Sequence, residues 1–309
     1  MDKITILMST YNGEKYLTEQ IDSILAQTYS NWELVIRDDG SSDGTVQIVE
    51  DYVKQEERVR WFDENEASAE NLGPMKSFFL MLETVESPYY MFCDQDDVWL
   101  PEKIETTYQK MLEIETHSTP CLVHTNFTVT DENLNRIGQG PLKANDGLYE
   151  LLLSNDVPGC TMMINKNLRV LALNDLNSVQ VMHDMWLGLL AAHFGKIAYI
   201  EPPFILYRQH IGNVVGQTTS LIGKLRNLSS NGERQRIQTS INAASSLIQL
   251  HGSRLNNEEL AYLETVKGFG TEKFAKNLID MYHNKVHKNS RVATIALIVK
   301  LAINHNHLK

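Results

Sequence analysis

The sequence is poor in cysteine, has no long apolar run, and lacks the common glycine-rich nucleotide signatures. Its three cysteines, Cys93, Cys121 and Cys160, are odd in number and far apart in 309 residues. No CxxC pair occurs, which argues against a disulfide framework or a cysteine zinc site and for a reducing compartment. Nothing approaches the roughly 20 apolar residues of a membrane-spanning helix, and Met1-Asp2-Lys3 runs into too few apolar residues for a signal-peptide core. A cytoplasmic, non-integral protein is therefore expected. GxGxxG, GxxxxGKS/T, HExxH and GxSxG are all missing, which speaks against a dinucleotide oxidoreductase, a P-loop enzyme, a zincin and an α/β-hydrolase.

What is present begins with charge. The net charge of −11 divides unevenly: residues 1–219 hold 33 acidic and 15 basic side chains, residues 220–309 hold 6 and 13. Two regions are expected, an N-terminal one over 1–219 and a basic, helical one over 220–309. The first is unsuited to nucleic acid, and the second matches an anionic surface, nucleic acid or membrane.

Apolar periodicity predicts strands at 4–8, 34–36, 59–62 and 89–93, alternating with helices that begin near Tyr16, after Gly44, at Pro74 and at Pro101. This order implies an α/β fold with an open, mostly parallel sheet, its ligand site at the carboxyl ends of the strands. Further strands are expected at 121–127, 161–164 and 196–207, and helices near 146–154, 166–173 and 184–194. Only helices are expected beyond 220.

Polar clusters come directly after three of those strands: Ser9-Thr10-Tyr11-Asn12, then Asp38-Asp39-Gly40-Ser41, then Asp94-Gln95-Asp96-Asp97. Strands of one sheet bring such clusters together. Three carboxylates in four residues repel one another unless a cation neutralises them, and oxygen donors suit Mg²⁺ or Mn²⁺. The competing reading is a solvated turn whose acid caps the next helix, and the same alternative holds for Asp38 and Asp39. A nucleotide site without a glycine loop, using a divalent cation to manage phosphates, is the reading that survives the absences.

The succession Ser9-Thr10-Tyr11-Asn12, Val35-Ile36-Arg37-Asp38-Asp39-Gly40-Ser41, Asn71-Leu72-Gly73 and Asp94-Gln95-Asp96-Asp97-Val98-Trp99 resembles family 2 inverting glycosyltransferases of the GT-A fold, over about residues 3–215. With Pro158-Gly159-Cys160-Thr161, His183-Asp184 and Tyr207-Arg208-Gln209-His210 it looks most like bacterial polysaccharide rhamnosyltransferases. The resemblance implies a nucleoside diphosphate sugar donor, with dTDP-β-L-rhamnose first and UDP-glucose or UDP-galactose as alternatives. It implies a lipid-linked cell-wall or capsular glycan acceptor, and no nucleic acid partner. Thr10, Tyr11, Asn12, Asp39, Asp94, Gln95 and Arg208 would bind the donor, Tyr11 against the base and Asp39 on its N3–H. Asp96 and His210 would hold Mn²⁺ or Mg²⁺, and Asp184 would be the general base. Gly159, Cys160, Thr161 and Trp186 would line the acceptor side. The QxxRW element of processive members has no counterpart, since Arg60-Trp61 precedes the acidic cluster, so addition of one sugar is expected. A nucleotidyltransferase and an inactive glycan-binding protein are the rivals; the first wants a glycine-rich basic loop that Ser9–Lys15 does not supply.

Residues 281–309 carry Lys285, Lys288, Arg291, Lys300 and Lys309 and no acid, around an apolar stretch over 292–303. This composition predicts a helix lying on the inner face of the cell membrane, with packing on the first region or a homodimer contact as the alternative.

Overall fold

The computed structural model describes residues 2–62, 70–141, 146–155, 157–210, 231–288 and 291–304. These form two compact units, Met1–Ala144 with Asp156–Leu173 and Leu190–Gly216, and Asn145–Asn155 with Asn174–Leu189 and Gln217–Lys309. The expected boundary at 219 lies outside the described residues.

The first unit is built on a sheet of nine strands: β1 (Ile4–Thr10), β2 (Trp32–Asp38), β3 (Val59–Trp61), β4 (Tyr89–Cys93), β5 (Val98–Trp99), β6 (Cys121–Thr130), β7 (Arg136–Gln139), β8 (Met162–Asn165) and β9 (Lys196–Arg208). Their order is β3-β2-β1-β4-β8-β6-β9-β5, with β7 beside β6. The first four are mutually parallel, β8 runs antiparallel to β4 and β6, and β9 is parallel to β6. The sheet is thus mixed, parallel where the three polar clusters arise. β1, β2 and β4 are buried on both faces, as a parallel sheet between helices must be.

Helices α1 (Leu17–Leu25), α2 (Thr45–Gln55), α3 (Gly73–Thr84) and α4 (Lys103–Ile114) come after β1, β2, β3 and β5. α1 turns Leu17, Ile21 and Ile24 onto the sheet, where they meet Ile4, Ile6, Leu34 and Ile36 in one core. Strand register then aligns the polar clusters. Thr10 stands opposite Asp38 and Met8 opposite Cys93, so the chain leaves β1, β2 and β4 at nearly one level. Beyond β8 come α6 (Lys166–Ala172) and α7 (His183–Phe194), with α5 (Leu148–Leu153) preceding that strand in the chain.

In the second unit, α8 (Asn231–His251) packs on α5, on α9 (Asn257–Gly268) and on α11 (Arg291–Asn304), with α10 (Phe274–His283) between the last two in sequence. Its core holds Leu151, Leu152, Trp186, Leu187, Ala243, Leu247 and Leu263, all fully buried. Tyr149 stacks on Tyr262 at 4.0 Å, and α9 opens with a capping box between Asn256 and Glu259. No described helix is long and apolar enough to cross a membrane.

Candidate functional site

The three polar loops are tied to one another by hydrogen bonds. The Gln95 amide clasps the backbone of Tyr11, accepting from its N–H at 2.8 Å and donating to its carbonyl at 3.0 Å. Asn12 takes a left-handed conformation, φ 48°, which its short amide tolerates. From there its N–H donates to Ser41 Oγ and its Oδ1 accepts from the Ser42 N–H, each at 2.8 Å. The Gly13 N–H donates to Thr45 Oγ1 at 2.8 Å. Tyr11 is thereby fixed in backbone while half of its side chain stays exposed, a ring free to stack.

The adjacent acids Asp38 and Asp39 do different work. Asp38 braces the turn, accepting from Thr10 Oγ1, Ser41 Oγ and the Gly40 and Ser41 amides. Asp39 faces the other way. Its Oδ1 meets Arg37 Nη1 at 2.5 Å and the Leu72 N–H at 2.7 Å, and its Oδ2 accepts from the Gly73 N–H at 2.7 Å. Burial alone would raise this carboxyl, but the Leu72 amide, Arg37 and the Gly73 amide outweigh it and hold the carboxyl below its ordinary range. Asp39 is ionised, with lone-pair capacity left on Oδ2.

After β4, Asp94 and Asp96 are half-buried and Asp97 is fully buried. Asp97 accepts from the Arg208 N–H at 3.0 Å and from the Cys160 thiol, while its Oδ2 has no hydrogen-bond partner among the described residues. Burial, then the charges of Asp94 and Asp96, push the Asp97 carboxyl well up, and burial does the same to the thiols of Cys93 and Cys160. Beneath them lies Lys103, fully buried, its Nζ without a hydrogen bond among the described residues and 4.0 Å from the Trp99 ring. Burial lowers this ammonium to about 8.

A second clasp closes the end of β9. Arg208 is 2 % exposed. Its Nε donates to the Asp96 carbonyl at 2.8 Å, Nη1 to the Glu132 carbonyl at 2.6 Å, and Nη2 pairs with Glu19. Two residues on, His210 Nε2 lies 2.8 Å from Asp96 Oδ2. The Tyr16 ring takes the Arg208 guanidinium at 4.4 Å and the His210 ring at 4.8 Å. Arg208 thus turns its donors inward, shaping the acidic loop, where a phosphate contact was expected.

A divalent cation fits this donor set. Asp94, Asp97 and Cys160 offer ligand atoms within 4.8 Å of one another, and Asp97 Oδ2 is an orphaned buried oxygen. Asp96 Oδ2 and His210 Nε2, 2.8 Å apart, add a carboxylate and an imidazole at the same acidic loop, and oxygen donors of this kind suit Mg²⁺ or Mn²⁺.

Three of the four residues expected on the acceptor side are buried. Cys160 and Thr161 are buried on a 3₁₀ turn over Gly159–Thr161, and the Thr161 hydroxyl donates to the Pro158 carbonyl at 2.6 Å. Trp186 is fully buried in the second unit, 5.9 Å from the His251 ring. Of the four, Gly159 alone is half-exposed. Asp184 is half-buried on the first turn of α7, accepting from the Met185 N–H at 2.6 Å. Burial drives its neighbour His183 down to about 3, so that imidazole stays neutral. Sequence reasoning missed Arg37, Tyr16, Glu19, Ser77 and Lys103. Only Arg37 left a signal, a cation directly after the apolar run Leu34-Val35-Ile36.

Comparison with known proteins gives a consistent picture. The model of the family described as glycosyl transferase family 2 matches residues 5–171. Glycosyltransferase GlyA of Streptococcus pneumoniae is 33 % identical over 37 % of this chain and 16 % of its own. The dTDP-rhamnosyl transferase RfbG of Shigella flexneri is 28 % identical over 72 % of this chain and 78 % of its own. An uncharacterised glycosyltransferase of Haemophilus influenzae is 30 % identical over 54 % of this chain and 63 % of its own. The chain thus spans well under two thirds of GlyA and slightly under two thirds of the Haemophilus protein. Among solved structures, Staphylococcus aureus TarS 1–349 in complex with UDP-GlcNAc superposes with a TM-score of 0.58 at 18 % identity, covering 91 % of this chain and 79 % of its own. The likeness to that structure is one of fold, GT-A-like.

Proposed function

The chain belongs to glycosyl transferase family 2, and from that premise we propose that it transfers a single sugar with inversion from a nucleoside diphosphate sugar. The observation that carries this reading is the joining of three loops around an exposed Tyr11, an ionised Asp39 and the half-exposed Asp94 and Asp96. Tyr11 stacks on the base and Asp39 Oδ2 accepts the N3–H of a uracil or thymine. A base whose edge presents no N–H there, such as cytosine, leaves the second lone pair of that buried oxygen unfilled beside its bond to the Gly73 N–H, which discriminates against it. Thr10 shapes the base pocket through its bond to Asp38, Asn12 joins the first two loops, and Gln95 joins the first to the third.

Asp94, Asp96 and His210 would hold Mn²⁺ or Mg²⁺, which when bound supplies Lewis-acid stabilisation of the diphosphate leaving group. Asp184 is the proposed base. It takes the proton of the acceptor hydroxyl as that oxygen bonds to the anomeric carbon, the bond from carbon to phosphate oxygen breaks, and the nucleoside diphosphate departs. The similarity to RfbG, named as a dTDP-rhamnosyl transferase, supports a dTDP-rhamnose donor, and a lipid-linked cell-wall or capsular glycan is the proposed acceptor.

A panel of nucleoside diphosphate sugars tests the reading. Release of dTDP from dTDP-rhamnose above that from UDP-sugars, abolished by EDTA and restored by Mn²⁺ or Mg²⁺, is the expected result. Preference for a UDP-sugar overturns the donor, undiminished activity in EDTA overturns the metal, and turnover of no sugar nucleotide overturns the activity.

A further inference from the structure

Among the described residues nine large apolar side chains stand exposed, and five of them lie on two consecutive helices: Ile279 and Tyr282 on α10, and Ile295, Val299 and Ile303 on α11. The spacing of 295, 299 and 303 puts the last three on one stripe of α11. Leu297 and Leu301, on its opposite side, are buried. α11 therefore packs with one apolar face and shows another to solvent, a pattern a helix folded onto a single core does not need. Ile279 and Tyr282 repeat it three residues apart on α10, with Met281 turned inward and Tyr282 83 % exposed.

Charge says what covers these stripes. From Met281 onward the chain has Lys285, Lys288, Arg291, Lys300 and Lys309 and no acid, within a protein of net charge −11. Lys285 meets Glu258 at 3.7 Å yet stays largely exposed. α10 carries one acid, Asp280, between its two exposed apolar residues, but the α11 stripe follows Lys285, Lys288 and Arg291 and flanks Lys300 with no acid, which suits a layer that is apolar inside and anionic at its surface. The fourteen residues of α11 rise roughly 21 Å, short of the roughly 30 Å hydrocarbon core, so the helix fits along such a layer and not through it.

We propose that α10 and α11 seat the protein on an anionic lipid surface, with Ile279, Tyr282, Ile295, Val299 and Ile303 in the interface and the lysines at the headgroups. This goes beyond the glycosyl-transfer reading and rests on the second unit alone.

The test uses the full chain with two vesicle preparations, phosphatidylcholine alone and an equimolar mixture with phosphatidylglycerol. Sedimentation with the mixed vesicles only, reduced by high salt, is expected. The double variant Ile295→Glu, Val299→Glu, altered where side chains are already solvated, should keep its circular dichroism and lose about tenfold or more in vesicle partitioning. Equal sedimentation of the two proteins, or none of the wild type with mixed vesicles, overturns the proposal. So does a wild-type dimer that the double variant turns into a monomer while neither binds vesicles, which assigns the stripes to a second copy. Sugar-nucleotide hydrolysis without vesicles reads the glycosyl-transfer proposal separately, so either can fail alone.

Discussion

Lys103 holds an ammonium where almost no lysine does, sealed from solvent over the Trp99 ring with its pKa lowered to about 8. In the unfolded chain the same group titrates near 10.4. Between those values the unfolded state binds the proton that the folded state has lost, so this residue's contribution to stability rises with pH from about 8 to 10.4. Below 8 it carries a penalty on the order of 3 kcal/mol. Lys103→Met should therefore stabilise the protein at pH 7 by about 1–3 kcal/mol, and the gain should shrink as pH approaches 10. Denaturant melts of both proteins at pH 7 and 10 check it; a loss at pH 7 would mean that Lys103 is needed to offset Asp97. Asp39 acts in the opposite sense. Its folded pKa lies below the unfolded value of about 3.9, so its contribution is complete above that pH and fades as acid carries the solution through the folded value. Asp39→Asn leaves the Arg37 guanidinium buried without a counter-charge, at a cost of about 3 kcal/mol near neutrality. Acid titration of unfolding should show a shallower limb below pH 4 in the variant than in the wild type.

At the scale of elements, the start of α3 is bound to the nucleotide loops through Gly73. Its φ of +75° aims the amide at Asp39 Oδ2, and Pro74 then begins the helix. Nothing lies within 4 Å of where a Cβ would stand, so Gly73→Ala is opposed by backbone conformation alone, about 1–2 kcal/mol. The variant should melt slightly earlier and bind nucleoside diphosphate more weakly by calorimetry; unchanged affinity would separate α3 from the donor site. How legible such features were depended on their range in the chain. The strands expected at 4–8, 34–36 and 89–93 announced themselves because each is an apolar run that ends in a polar cluster. β5 and β7 escaped, being two and four residues with no periodicity to detect. Antiparallel β8 read as a strand, but its direction depends on neighbours distant in sequence. In the site, the motif residues of the three loops were visible, whereas the burial of Lys103 and Arg208 was not, for one reason. Both look like solvated cations in sequence, and partners from elsewhere bury them: Trp99, Cys93 and Cys160 around the first, Glu19 and Glu132 around the second. The burial of Trp186 was hidden differently, since a large aromatic beside an acid suggests a sugar platform, and its neighbour His251 lies far along the chain.

For the whole molecule, the loops proposed to bind the donor fall in the first unit and Asp184, the proposed base, in the second, and one substitution tests the latter apart from donor binding. Asp184→Asn should bind dTDP or UDP with near-normal affinity while turnover falls by about 10² to 10⁴. Wild-type turnover in the variant would remove Asp184 as base, and a lowered melting temperature with turnover retained would leave it the role of helix-end acid. The second unit is also assembled from three stretches of chain, the last of them C-terminal. A ribosome delivers Trp186 long before it delivers His251, whose ring lies 5.9 Å from it. Until His251 and the helices after it have emerged, α7 leans only on earlier chain, such as Leu151 beside Gly188. Nascent chains released early would carry a completed donor-binding sheet and an incompletely supported base, so the molecule should gain the ability to hold a nucleotide sugar well before it gains the ability to turn one over.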